Sequence, residues 1–204
     1  MSRLVTAMVV AAFGTVPLQA QRAVPAGVVV GGTLTFDGRG TVGDFSGSTA
    51  TVRGVMTGGA GLGRVRGWVE APAKTLKTGN DKRDRDMYAS LEADRYPTIR
   101  FDLDSVAPHG EAGDSAIVTL HGRLAVHGVT RDVAVPATIR LEADGLRLRS
   151  RFPLLLTDYR IGGLSKMLGL LKMQPDIVVR VELTFGAGAA ATPAAAPAAT
   201  PPAS

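Results

Sequence analysis

Val118-Thr119-Leu120-His121-Gly122-Arg123-Leu124-Ala125-Val126 is the stretch that decides the fold, because large apolar side chains alternate in it with polar or small ones. Successive side chains of a strand point to opposite faces, so the alternation indicates a strand with one apolar face. The segments 129–141, 146–152 and 177–185 repeat the pattern with almost no helical segment between them. The sequence therefore predicts a mainly β protein whose strands close into a barrel around an apolar interior.

The two ends of the chain differ in composition from the segment between them. Residues 1–20 combine Arg3, an apolar run and a small-residue end at Ala20, which predicts an export signal cleaved after Ala20. The run is shorter than the roughly 20 residues of a membrane span, and an uncleaved anchor is the alternative. Residues 186–204 are nearly all Ala, Pro, Thr and Gly, which is typical of a disordered tail. We therefore expect a periplasmic protein with one domain over residues 21–185.

Composition excludes several classes of function. The chain has no cysteine, so disulfides, thiol chemistry and thiolate metal sites are ruled out. Its net charge of +5 is spread among acidic residues, which favours a solvated barrel exterior over the alternative of attraction to anionic membrane surfaces. Aromatic residues are few and are not interleaved with basic ones, so nucleic acid is not an expected partner.

The connections between strands carry their own signals. Residues 80–93 predict a short helix, expected across one end of the barrel. A turn is predicted at Asp37-Gly38 and a polar loop at 108–114. The glycines of 58–63 lack the spacing and the following Lys-Ser or Lys-Thr of a phosphate loop, so they favour a hairpin connection. The apolar, glycine-punctuated segment 162–173 is expected to form a lid at the barrel mouth.

No polar cluster with catalytic or metal-binding spacing stands out. His121 and His127, interpreted as outer-face residues of one strand, would lie about 20 Å apart, too far to share a metal ion. Asp81, Asp84 and Asp86 alternate with basic side chains and are better explained by helix capping than by a calcium loop. We therefore expect no catalytic residues, no metal site and no cofactor.

Several stretches carry a family resemblance in their order along the chain. They are Lys77-Thr78-Gly79-Asn80 with Asp84 and Met87, Tyr96-Pro97-Thr98-Ile99-Arg100-Phe101, Gly122-Arg123-Leu124-Ala125-Val126-His127-Gly128-Val129-Thr130-Arg131, Thr157-Asp158-Tyr159-Arg160-Ile161 and Leu171-Lys172-Met173-Gln174-Pro175-Asp176-Ile177-Val178-Val179. Together they resemble the bacterial YceI-like, polyisoprenoid-binding family, from about Gly32 to Phe185. The chain departs from that family at Asp37-Gly38-Arg39, where many members carry a His, and at Tyr159-Arg160, which replaces a Phe-Gly pair.

The resemblance implies an extended, eight-stranded antiparallel barrel similar to lipocalins, to which the residues themselves add the short helix and the apolar lid. It also implies an amphiphilic ligand whose isoprenoid or acyl chain lies in the lumen, a quinone being one candidate, held for transport or storage. The residues expected to line the cavity, as wall or lid, are Leu34, Phe36, Phe45, Trp68, Ile99, Phe101, Leu120, Leu124, Phe152, Tyr159, Ile161, Leu164 and Met167. The alternative for Trp68 is an outward-facing position, because Arg66 and Glu70, two residues before and after it, would share its face of the strand.

Two other functions stay open at this point. An eight-stranded barrel is wide enough either to be filled by its own side chains or to hold one small ligand. A closed, ligand-free barrel would be an envelope interaction module that binds a partner through its basic exterior and tail. An enzyme acting on a lipid would use Asp158 and Tyr159 as acid or base at the mouth. A transient membrane contact and a homodimer are compatible with each of these.

Overall fold

The computed structural model describes residues 23–41, 43–162, 165–166 and 171–187. The predicted export signal, the tail from residue 188 and half of the predicted lid, with Leu164 and Met167, lie outside the described residues. The strands and the α-helix are, in chain order, β1 Gly27–Gly40, β2 Phe45–Thr49, β3 Arg53–Thr57, β4 Arg66–Pro72, α1 Asp81–Ser90, β5 Thr98–Ala112, β6 Ser115–Val126, β7 Val129–Glu142, β8 Gly145–Leu155, β9 Ser165–Lys166 and β10 Leu171–Ala187. Single 3-10 turns occur at Leu62–Arg64, Ala73–Thr75 and Leu156–Tyr159.

The strands form a closed, eight-stranded antiparallel barrel. β3 to β8 pair in sequence order, β8 pairs with β10, and β10 pairs with β1 to close the circle. β2 and β3 both pair with the remaining edge of β1, so they act as two halves of one barrel strand. The two-residue β9 pairs with the start of β10. The predicted lipocalin-like barrel is confirmed, and β10 extends two residues into the segment predicted as tail.

Side-chain alternation sends the apolar face of each long strand into the barrel. On β6, Leu120 and Leu124 are buried, whereas Ile117 and Arg123 on the opposite face are exposed. Burying a leucine side chain contributes roughly 1.5–3 kcal/mol. A slip of one residue in strand register would reverse both faces, so this burial also specifies the register.

The interior has two packed regions, one towards each end of the barrel. Val118, Leu146 and Leu183 belong to the region that we call the closed end. Ile177 and Val179 belong to the other, which we call the helix end because Met87 of α1 and Leu91, the residue after α1, pack there.

Helix α1 is shorter than the predicted 80–93 but begins where its capping residue predicts. The Asn80 side chain accepts a hydrogen bond from the Arg83 backbone N–H at 3.0 Å, which satisfies one of the free donors of the first turn. No helix in the described ranges is long and apolar enough to cross a membrane.

The turn predicted at Asp37-Gly38 is wrong, because both residues lie inside β1. Gly38 pairs with Phe45, and a Cβ at Gly38 would lie 2.6 Å from the Phe45 ring. Asp37 accepts a hydrogen bond from Arg180 of β10 at 2.8 Å. The dipeptide therefore serves ring packing and barrel closure, and the chain reverses after Gly40 instead, with Gly43 at a φ of 126°.

The polar loop predicted at 108–114 is also wrong for most of its length. Pro108 and His109 lie inside β5, where the register shifts between Pro108 and Gly110. Such a bulge accommodates a residue without an N–H donor. The His109 ring nitrogen Nε2 lies 2.7 Å from the Thr119 hydroxyl of β6, so the polar side chains pair across the ladder.

The prediction that His127 lies on the outer face of the same strand as His121 is wrong, because His127 occupies the turn between β6 and β7. His127 has a φ of 52° and Gly128 a φ of 70°, values typical of a two-residue hairpin turn. The His127 ring nitrogens contact the Tyr159 carbonyl at 2.9 Å and a Glu92 carboxylate oxygen at 3.1 Å. His127 thus joins this turn to the segment after α1 and to the turn after β8.

Candidate functional site

A cavity of about 640 Å³ runs through the barrel interior. Its wall consists mainly of inward aliphatic and aromatic side chains of the strands, from both the helix end and the closed end. Polar and charged side chains gather at the helix end, in a group that we call the rim: Thr41, Asp44, Asn80, Lys82, Arg83 and Asp86. Because Asp44, Asn80 and Lys82 are exposed, the cavity reaches the surface at the rim.

Most of the residues expected to line the lumen border this cavity. They are Leu34, Phe36, Phe45, Trp68, Ile99, Phe101, Leu120, Leu124, Phe152 and Ile161. Tyr159 lies elsewhere, and Leu164 and Met167 fall outside the described residues. The cavity also borders residues that the sequence reasoning did not name, among them Met173, Ile177 and Val179 at the start of β10.

Trp68 borders the cavity from a strand position that faces outwards. It pairs with Asp102 across β4 and β5, and its neighbour Glu70 pairs with Arg100 on the same face. The Arg100 guanidinium lies 4.5 Å from the centre of the indole ring, in a cation–π contact. Arg100 also binds Glu70 at 2.9 Å and Asp102 at 2.8 Å. Trp68 is therefore held by this outer-face network.

Tyr159 is part of the packed core and does not border the cavity among the described residues. It is 2% exposed and packs with Leu156 and Ile161 at the helix end. Burial raises the pKa of the Tyr159 hydroxyl, because the charged phenolate is disfavoured away from water. A buried phenol of raised pKa is a poor general base, so this placement gives no support to acid–base chemistry by Tyr159.

Two phenylalanines lead from the lumen to the rim. Phe36 of β1 is buried, and its ring meets the Phe45 ring edge to face with 6.2 Å between centres. Gly38 and Gly47 make room for these rings, since a Cβ at either would lie within 2.6 Å of a ring carbon. The result is an apolar path from the interior of the barrel to α1.

Arg83 of α1 lies at the rim end of this path. Its guanidinium carbon is 5.1 Å from the centre of the Phe45 ring, and its Nη2 donates to the Thr78 carbonyl at 3.0 Å. The side chain borders the cavity. Its Nε is buried and has no hydrogen-bond acceptor among the described residues.

The neighbouring Asp84 fixes the start of α1 against the preceding segment. It is 3% exposed and accepts hydrogen bonds from the Thr78 backbone N–H at 2.8 Å and the Thr78 hydroxyl at 2.6 Å. The hydroxyl bond is the main reason that the pKa of Asp84 is lowered. The sequence predicts Asp84 as a helix-capping residue. The capping residue is instead Asn80, and Asp84 in the first turn of α1 binds Thr78, which precedes the helix.

Sequence reasoning missed Arg83, although one signal pointed to it. Arg83 stands four residues before Met87, and residues four apart share one face of a helix. Met87 packs at the helix end of the barrel, so Arg83 lies near the same surface. Within the described part of the chain, no group of three or more His, Asp or Glu side chains could hold a metal ion.

A comparison with family models shows the family of this chain. The family model described as the YceI-like domain matches residues 15–185. A search of curated proteins finds no match. Among solved structures, BcnA of Burkholderia cenocepacia is 13% identical, with a TM-score of 0.65, over 75% of this chain and 95% of that one.

Two further solved structures share the fold. A polyisoprenoid binding domain from Saccharophagus degradans, implicated in plant cell wall breakdown, is 16% identical, with a TM-score of 0.66, over 81% of this chain and 99% of that one. A mutant YceI protein of Campylobacter jejuni is 17% identical, with a TM-score of 0.55, over 69% of this chain and 83% of that one.

Proposed function

Because the chain belongs to the YceI-like family, we propose that its barrel binds one amphiphilic lipid whose apolar chain occupies the lumen. The observation that carries this proposal is the cavity of about 640 Å³ with its mainly apolar wall. Ligand pockets in proteins usually measure about 300–1,000 Å³ and are lined mainly by apolar side chains. The cavity has the size and the chemistry for a long hydrocarbon chain.

The energetics favour recognition of the hydrocarbon chain of the ligand over recognition of its headgroup. Each methylene group moved from water into an apolar site contributes about 0.8 kcal/mol, so twelve carbons contribute roughly 10 kcal/mol before the cost of association. That cost is about 4–15 kcal/mol, so a shorter chain would bind weakly. A ligand of this barrel therefore needs a long hydrocarbon chain, and its polar end can contribute less binding free energy than that chain does.

An isoprenoid-type amphiphile is our first choice of ligand, with quinones and acyl lipids as further classes. The polyisoprenoid binding domain from Saccharophagus degradans has the same fold, and this likeness supports the choice of an isoprenoid chain. We propose that the protein carries or stores this lipid in the periplasm after export by residues 1–20. A transient contact of its basic exterior with an anionic membrane surface would give the ligand a route in and out.

The cavity argues against the alternative of a closed barrel that acts only as an interaction module, since such a barrel would be filled by its own side chains. The alternative of an enzyme that uses Tyr159 receives no support from the position of that residue in the core. We therefore propose a binding role without catalysis.

A chain-length series tests this proposal. Delipidated protein is titrated with saturated primary alcohols of 8 to 16 carbons and with farnesol and geranylgeraniol, and each affinity is measured by displacement of a fluorescent fatty acid. Each added methylene group should strengthen binding about fourfold until the lumen is full. Absence of binding, or affinities that do not depend on chain length, would contradict a lumen site.

A further inference from the structure

Arg83 is held in place before any ligand binds. Its Nη2 donates to the Thr78 carbonyl at 3.0 Å, and its guanidinium lies against the Phe45 ring. Thr78 is fixed in turn by its two hydrogen bonds to Asp84. A donor held in this way loses little conformational freedom when it binds an acceptor.

The Nε–H of Arg83 is the unusual feature of this arrangement. It is buried, and none of the described residues offers it an acceptor. Arg83 also forms no ion pair with a carboxylate in the described part of the chain, unlike Arg53, Arg100 or Arg180. Buried donors in proteins almost always have a partner, and a buried cationic donor without one is especially costly. An acceptor supplied by a ligand would remove that cost.

We propose that Arg83 binds the headgroup of the lipid and that this headgroup is anionic, a carboxylate or a phosphate. The inference rests on the proposed lipid-binding function and adds to it a ligand class and a specificity residue. Arginine makes short, charge-assisted hydrogen bonds to the oxygens of both groups. With the headgroup at Arg83, the chain passes Phe45 and Phe36 on its way into the lumen.

The other charged groups of the rim do not select an anion by themselves. Asp44 and Asp86 carry negative formal charges and Lys82 a positive one, so without Arg83 these charges sum to −1. Discrimination therefore depends on the position of the Arg83 donor more than on the overall field of the rim. The effect should accordingly be sensitive to the geometry of the side chain at position 83.

Matched ligands with one chain and different heads test the inference. Delipidated wild-type protein is titrated with palmitate, hexadecanol and palmitamide, and with farnesyl phosphate and farnesol. We expect the wild type to bind each anion about 10- to 100-fold more tightly than the alcohol of the same chain, the range for a hydrogen bond to a charged group. The palmitate-to-hexadecanol ratio of affinities, compared with the farnesyl phosphate-to-farnesol ratio, then distinguishes carboxylate from phosphate as the preferred head.

Variants on the same helix assign the effect to Arg83. Arg83→Gln should lose the preference for anions while binding hexadecanol and farnesol as the wild type does. Arg83→Lys, which keeps the charge but has no Nε at that position, should retain only part of the preference. Arg85→Gln is the control, because Arg85 is exposed on α1 and does not border the cavity. It should behave as the wild type.

The possible failures point to different conclusions. Equal binding of acid, amide and alcohol by the wild type would overturn the role of Arg83 and leave the lumen site intact. Equal binding of palmitate and palmitamide, both weakened by Arg83→Gln, would overturn the anionic headgroup. Loss of alcohol and acid binding together in a folded Arg83→Gln variant would show a structural role instead. Failure of every ligand to bind the wild type would refute the lipid-binding function.

Discussion

Replacing Leu120 with Trp should leave the barrel folded while displacing its ligand. Leu120 is buried on β6 and borders the cavity, so a larger ring has space to enter. We therefore expect a destabilisation at the low end of the range for overpacked cores, about 1 kcal/mol. For a domain of this size, such a loss lowers the Tm by about 2–4 °C.

The effect on binding should be much larger than the effect on folding. If the indole ring takes the place of about three methylene groups of the ligand chain, the loss is about 2.4 kcal/mol, or about 60-fold in Kd. The assay is displacement of a fluorescent fatty acid by hexadecanol, with thermal unfolding followed in parallel. Hexadecanol avoids any contribution from a charged headgroup.

Ile117→Trp is the matched control for this variant. Ile117 lies three residues earlier on the same strand, on the outer face, and is 61% exposed. It adds the same indole without entering the lumen, so its affinity for hexadecanol should equal that of the wild type. A folded Leu120→Trp variant that binds hexadecanol as tightly as the Ile117→Trp variant would refute the reasoning.

Three further predictions concern the fold and its ends. The pKa of Asp84 is lowered chiefly by its hydrogen bond from the Thr78 hydroxyl. Ionised Asp84 therefore stabilises the fold above the ordinary aspartate pKa of about 3.9, and this stabilisation is lost as the pH falls through the lowered pKa. Urea unfolding should show a smaller loss of stability at acid pH in Asp84→Asn than in the wild type, and identical pH profiles would contradict this. Gly128 has a φ of 70°, and a Cβ there would lie 2.4 Å from the Tyr96 ring, so Gly128→Ala should lower the free energy of unfolding by about 1–3 kcal/mol. Gly113→Ala should lower it by less, because Gly113 has a similar φ of 59° but its Cβ would meet nothing within 4 Å. Equal losses of stability would show that the ring contact is unimportant. Deletion of residues 188–204 should change the Tm by less than about 2 °C, and a larger loss would indicate that the tail packs on the barrel.

The long strands could be predicted because their signal is local. In β6 and β10 the apolar side chains alternate without interruption, and the burial of Leu120, Leu124, Ile177 and Val179 follows that parity. The family resemblance added the number of strands, which alternation does not specify. Ten of the residues expected at the cavity border it. Strand parity places those on the long strands on the inner face, whereas Trp68 borders the cavity from an outward-facing position.

The errors arose where partners distant in sequence decide the conformation. Gly38 allows the Phe45 ring to approach, and Asp37 binds Arg180, so the Asp-Gly pair stays in a strand although its local preference is for a turn. The error at His127 is instead a local one, because the predicted strands end at Val126 and resume at residue 129, and His127 lies in the turn between them. Arg83 was overlooked because its chemistry depends on Phe45 and Thr78, which meet it only in the folded chain.

The most direct test of the central claim is the lipid content of the protein as its own cell makes it. Protein purified without detergent from the native host is examined by native mass spectrometry and then by organic extraction, with Leu120→Trp expressed in the same host for comparison. We predict close to one long-chain amphiphile per wild-type chain and a clear reduction in the folded variant. A wild-type protein that carries no lipid, or a folded variant that carries the same load, would contradict the assignment of the lumen as the functional site.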